Sequence, residues 1–223
     1  MANIKTSKKS TRIDMTAMCD VAFLLLSFFI MTATSKVPEP KPVDTPASTI
    51  KAKLPERNLF TITVGDSAVY IGMSDRETRI AALEAMSLKY DIAFTPQEIN
   101  EFSLLDSFGV PLEQLKSLLA LKNAERNKPG TQSGIPYKGD ISENELSFWV
   151  YYANAAVVME QQAKGAEKIK EIEIAIKGSS KEKYPVVKNV FDILQKQNMN
   201  DFYLVTSLRD SDFKLNKNIT WQN

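Results

Sequence analysis

The chain has 223 residues, with 28 lysines and arginines against 27 aspartates and glutamates and a net charge of +1; that balance excludes the basic surplus a nucleic-acid binder carries. Histidine is absent and cysteine occurs once, which excludes Ser-His and Cys-His nucleophile pairs, His-containing metal sites and any intrachain disulfide. An apolar content of 43% fits one membrane segment plus one globular domain, not a polytopic protein.

Residues 1–14 form a basic N-terminal segment with Lys5, Lys8, Lys9 and Arg12. From Met15 to Ala33 the chain then reads MTAMCDVAFLLLSFFIMTA. As a helix this run is about 28 Å long, close to the roughly 30 Å hydrocarbon core of a bilayer. A transmembrane helix is therefore expected over 15–34. The residues beyond it, Lys36, Glu39, Lys41 and Asp44, are balanced. The positive-inside bias then puts the N-terminus in the cytoplasm and the larger C-terminal part outside. A cleaved signal peptide shares the basic start and the small residues near Thr32-Ala33-Thr34. Against it stand the length of the run and an acidic residue, Asp20, near its start.

At 100° per residue, Thr16, Asp20, Ser27 and Thr34 fall within about 40° of one another, with Met31 beside them. Leu25, Leu26, Phe28, Phe29 and Ile30 cover the other directions. A carboxylate in hydrocarbon costs about 2.5–3.5 kcal/mol on insertion scales, so this polar face must meet protein or water. The helix thus needs a membrane partner, itself or another protein. Asp20 serves either as packing glue between helices or as a titrating group that takes a proton from one side and releases it to the other. Coordination of Na⁺ with Ser or Thr oxygens is the alternative to H⁺.

The segment Arg12-Ile13-Asp14-Met15-Thr16-Ala17-Met18-Cys19-Asp20-Val21, followed by Phe23-Leu24-Leu25-Leu26-Ser27-Phe28-Phe29-Ile30-Met31, resembles the transmembrane signature of the ExbD/TolR family of biopolymer-transport proteins. That pattern is roughly I-N-M-T-P, two hydrophobic residues, D and another hydrophobic residue, then a Leu- and Phe-rich run ending in M-x-T. Asp14 stands where the family often has Asn. Ala17 stands where it usually has Pro, which alters only how the helix starts. The resemblance implies an ExbD-like stator subunit of a proton-driven inner-membrane motor, with protons passing over Asp20. It implies a homodimer whose helices sit inside a ring of an ExbB/TolQ-like membrane protein. It also implies a periplasmic domain that delivers work to a TonB-like or TolA-like periplasm-spanning protein. The alternatives are a TolR-like subunit serving envelope integrity and an anchored periplasmic binding module with a structural Asp20.

After the membrane comes a proline-rich linker, 35–57, including Val37-Pro-Glu-Pro-Lys-Pro-Val-Asp-Thr-Pro46. Such spacing favours extended polyproline II, whether as a working spacer or a plain tether. A domain over 58–223 follows. Asn58–Val64 alternates apolar and polar residues, and with Gly65-Asp66 as turn and Ala68–Ile71 it predicts a hairpin. Its first strand, Phe60–Val64, is expected at an exposed edge open to β-augmentation. Ser74-Asp-Arg-Glu77, Thr95-Pro-Gln-Glu98 and Ser142-Glu-Asn-Glu145 are capping boxes that open helices. The first of those helices places Ile80, Leu83 and Ser87 on one face.

Pro111 starts a helix with Leu112, Leu115, Leu118 and Leu119, closed by Pro129-Gly130. The stretch 91–140 resembles nothing in compact family members and is taken as a helical insertion, its leucines as core. The helix from about Glu143 carries Leu146, Trp149, Val150, Ala153 and Val157, with Gly165 as its cap. Its aromatic run, Phe148, Trp149, Tyr151 and Tyr152, points several ways, as partial burial requires. Glu171–Ile176 is a period-2 strand with Ile172, Ile174 and Ile176 inward and Glu171 and Glu173 outward. A helix from Pro185 presents Val187, Val190, Phe191 and Leu194, and Phe202–Thr206 is the last strand. Together these predict a two-layer α/β domain, a small sheet with helices on one face. No phosphate loop, nucleophile elbow or metal-ligand spacing occurs, so neither catalysis nor a cofactor or metal is expected.

Overall fold

The computed structural model describes residues 15–33, 39–48, 53–140, 144–166 and 168–208. The chain forms two compact units, Met1–Val37 and Pro38–Asn223. The first contains α1 (Met15–Thr32). In chain order the second contains β1 (Ala47–Ser48), β2 (Leu59–Gly65), β3 (Ala68–Met73), α2 (Arg76–Tyr90), α3 (Pro96–Ser103), β4 (Ser107–Phe108) and α4 (Leu112–Ala120). It continues with α5 (Asn123–Arg126), α6 (Glu145–Ala163), β5 (Glu173–Gly178), α7 (Tyr184–Lys196), β6 (Phe202–Leu204) and β7 (Ser207–Leu208).

The main sheet has the order β4-β3-β2-β5-β6. β2 pairs antiparallel with β3 and parallel with β5, while β5 pairs parallel with β6. The register sets Phe60 beside Met73 and Ile174, and Ile62 beside Ile71 and Ile176. Because strand side chains alternate faces, these residues share one face, and they form the core with Leu83, Met86, Trp149, Val150 and Val190 from the helices. The domain is thus α/β, with its helices on one face of the sheet. Ile172, Ile174 and Ile176 are all buried, as the alternation required.

Several local expectations change. The hairpin loop is Asp66-Ser67, at φ 52° and 58°, while Gly65 stays in the ladder opposite Ala68. The right-handed strand twist favours two-residue loops with positive φ at both positions. β2 lies centrally, since β5 joins it on the side away from β3, so the edge expected at Phe60–Val64 is internal. The strand expected over 171–176 runs from Glu173 to Gly178, and Phe202–Thr206 shortens to Phe202–Leu204.

The box at Ser74–Glu77 does not form. Asp75 is the N-cap without a side-chain bond to the helix. It instead accepts the Asn58 N–H at 2.6 Å, and Ser74 Oγ accepts that of Leu59 at 3.0 Å. Both side chains are spent on the start of β2. α2 turns a different face inward, with Thr78, Ala82, Leu83 and Met86 buried and Ile80 and Ser87 only half-buried. At Thr95 both halves of the box are present. Asn144, not Ser142, caps α6, accepting from Leu146 N at 3.0 Å; Ser142 lies outside the described residues. α7 buries Val186 and Ile193 together with Val190 and Leu194, leaving Val187 and Phe191 at the flank.

α4 ends at Ala120, well before Pro129-Gly130. The buried Arg126 guanidinium donates to the carbonyls of Leu119 at 2.6 Å and Leu121 at 2.8 Å. Those are the acceptors a helix terminus leaves open, so the arginine ends the helix in place of the next turn. α4 buries Leu112, Leu115, Leu118 and Leu119 as core. α6 buries Leu146, Trp149, Val150, Ala153 and Val157 and ends at Ala163, with Gly165 just past its C-cap Lys164. There the bonds Gly165 N→Gln162 O and Ala166 N→Gln161 O form a Schellman cap. Phe148 and Tyr152 are half-buried and Tyr151 is exposed.

The stretch between α2 and α6 also covers an edge of β3. β4 pairs with β3 at Ile71 and Gly72. Further along, Ile135 N donates to Val69 O at 2.8 Å, and Gly134 N to Gly109 O at 2.7 Å. Tyr70 fills the other face of β3, and a Cβ on Gly109 would lie 2.1 Å from its ring. Residues 39–48 of the proline-rich stretch lie on the same helix-free face. Val43 Cγ1 sits 2.7 Å from where a Gly65 Cβ would be. Lys41 pairs with Asp66, and Glu39 with Lys177 at 2.5 Å. β1 then pairs in parallel with β7.

Candidate functional site in the membrane helix

α1 has no glycine or proline over its 18 residues, so every interior N–H has an acceptor one turn back. In hydrocarbon that internal satisfaction is obligatory. The helix continues into Ala33, whose N–H donates to Phe29 O at 2.9 Å. None of its residues is buried. Phe28 and Phe29 meet edge to face at 6.1 Å, on the lipid-like side of the wheel.

Thr16, Asp20 and Ser27 lie within this one continuous helix. Its 3.6-residue period puts them on one face, Thr16 about 40° and Ser27 about 20° from Asp20. Thr34, the fourth residue expected there, lies outside the described residues. Ser27 Oγ donates to Leu24 O at 2.9 Å, and Thr32 Oγ1 donates to Phe28 O at 2.8 Å. Such bonds to the preceding turn satisfy a hydroxyl's proton in an apolar medium and leave its lone pairs to accept. Cys19 is a free, exposed thiol about 100° from Asp20. Asp20 has no cation beside it on its own helix, where α1 carries no lysine or arginine. A carboxylate so placed can bind a proton or meet a donor from another helix.

Among the described residues of the second unit, no helix is long and apolar enough to span a membrane. Among its described residues no group of three His, Cys, Asp or Glu is placed to hold a metal ion. A groove of about 660 Å³ lies where β5 and β6 begin, lined by Glu171, Glu173, Asp201 and Tyr203 among others. Tyr203 Oη donates to Glu173 Oε2 at 2.9 Å, and that bond holds the phenol above its ordinary value. The groove adjoins β6, which among the described residues pairs only with β5 in the main sheet. β6 is thus one of the two terminal strands of that sheet, with β4 at the other end. Its position depends on the distant β2–β5 pairing, and no local pattern announces it.

A family model described as biopolymer transport protein ExbD/TolR matches residues 6–209. No curated protein and no solved structure matches the chain. The matched span takes in the acid, its Met-Thr lead-in and nearly the whole α/β domain, and the chain belongs to the ExbD/TolR family of biopolymer transport proteins.

Proposed function

We propose that the chain is an ExbD-like stator subunit of a proton-motive-force-driven motor in the inner membrane, energising TonB-dependent transport across the outer membrane. The family is transport-associated and non-enzymatic, and its members work with ExbB/TolQ-type and TonB/TolA-type partners. Family membership and one N-terminal apolar helix fit a single-pass inner-membrane protein. The observation that carries the reading is Asp20, an acid on the polar face of a helix apolar and long enough to span the membrane.

In this reading two copies of α1 pair inside an ExbB/TolQ-like ring, which shields Asp20 from lipid. The basic N-terminal segment stays in the cytoplasm, and the α/β domain works in the periplasm on a TonB-like protein. Asp20 takes a proton from one side and releases it to the other. Each elementary charge moved through 100 mV makes about 2.3 kcal/mol available. That energy drives motion between stator and ring.

The test is Asp20→Asn, which keeps the size and removes the titration. It is expected to abolish energised outer-membrane uptake while the protein level stays unchanged; normal uptake in the variant would sink the proposal. A deletion strain that loses siderophore or cobalamin uptake supports the TonB-type client. One that instead leaks periplasmic contents assigns the same motor to envelope integrity.

A further inference from the structure

The geometry points to Ser27 as a positioning residue that holds the water file between Asp20 and the periplasmic face of the inner membrane. This rests on the reading of Asp20 as the proton-handling acid. Asp20 is off-centre in α1. It lies about 7.5 Å along the axis from Met15 but about 18 Å from Thr32, at 1.5 Å per residue. The long half of any proton route is therefore the outer one. On the Asp20 side of that half the helix presents Leu24, Ser27 and Met31, all within about 40° of the acid. Ser27 is the hydroxyl among them, about 10.5 Å from Asp20 along the axis. A gap of that length holds about three hydrogen-bonded waters.

The bond from Ser27 Oγ to Leu24 O fixes the hydroxyl on this face, with its lone pairs open to accept from water. It also explains why the hydroxyl is tolerated in an apolar helix, yet it does not explain its direction. Thr32 makes the same kind of bond to Phe28 O about 120° away from Asp20, so satisfying the hydroxyl does not require the acid's face. In this role Ser27 lodges no proton. It anchors one water of the file by accepting its hydrogen bond, and protons shift along the waters to and from the Asp20 carboxylate.

The experiment uses the full chain with its ring partner in vesicles, reading proton entry under an imposed gradient with a pH-sensitive dye. Ser27→Thr keeps the hydroxyl, Ser27→Val matches the shape of threonine without it, and Ser27→Ala removes it with little change in size. Val and Ala are expected to slow proton entry about tenfold, the scale of one lost hydrogen bond. Thr is expected to stay near the parent rate, and the ring partner should co-purify with all three. Equal rates for Val and Thr overturn the proposal. So does loss of the ring partner from Val and Ala, which would make Ser27 a packing contact. Asp20→Asn runs alongside. If its proton entry persists, the reading of Asp20 itself fails; if its entry stops while Val matches Thr, only the role of Ser27 fails.

Discussion

Glu145 opens α6 with 7% of its surface exposed, yet its carboxylate reaches beyond its own helix turn. It accepts the Leu112 N–H of α4 at 2.9 Å and Trp149 Nε1 at 3.2 Å. Burial holds its carboxyl above the ordinary glutamate value. The bonds from Trp149 and Leu112 pull it down, and the nearby Glu113 charge adds to the rise. Because the folded state then binds the proton more tightly than the unfolded chain, the contribution of Glu145 to stability is greatest at acidic pH. It declines as pH climbs from the ordinary value of 4.5 through the raised one. Glu145→Gln is expected to flatten that decline, measured as the thermal unfolding midpoint against pH, and an undiminished slope would assign the titration to another group. The sequence shows Glu145 only as the far end of a box begun by Ser142. Its actual partner, Leu112, stands 33 residues away, a separation that local spacing does not encode.

Elements show the same division between what is local and what is not. Ser74–Glu77 and Thr95–Glu98 spell the same box, but only the second forms. Thr95 bonds back and forth with Glu98 within its own turn, whereas Ser74 and Asp75 sit beside the N–H groups at the start of β2 and serve those instead. The Schellman end of α6 and the leucine face of α4 were legible because their causes lie within one or two helical turns. The end of α4 was not, because Arg126 makes it from outside the helix. That guanidinium is 4% exposed, pairs with Glu101 at 2.9 Å, and bonds Asn123 Oδ1 and two carbonyls. Arg126→Met keeps most of the apolar stem but leaves Glu101 and the carbonyls of Leu119 and Leu121 without their donor. A cost of about 3 kcal/mol is expected, read as a fall in the urea midpoint at unchanged slope. A loss near zero would mean that water replaces the guanidinium without penalty.

At the scale of the molecule, the apolar helix was legible over Met15–Thr32, since it rests on one uninterrupted run of sequence. The order of the sheet was not. β2 and β5 are separated by more than a hundred residues, and their parallel pairing moves β2 from edge to centre. The proline-rich stretch shows polyproline character, yet its docking depends on Gly65, Asp66 and Lys177 far along the chain. These differences in support imply an order of opening. β2 has strand partners on both sides and a core face that is fully buried. β1 and β7 share just two residue pairs, and Lys41–Asp66 and Glu39–Lys177 are exposed or half-exposed pairs of the kind worth about 1 kcal/mol or less. Amide exchange is therefore expected to be fastest at Ala47–Ser48 and Ser207–Leu208, intermediate in β6, and slowest in β2 and the facing half of β5. Raising the salt concentration should speed exchange in the first group while leaving β2 unchanged, because screening reaches exposed pairs and not a buried ladder. Exchange at Ala47–Ser48 as slow as in β2 would show that the docked stretch opens only with the whole domain, which its few and exposed contacts do not support.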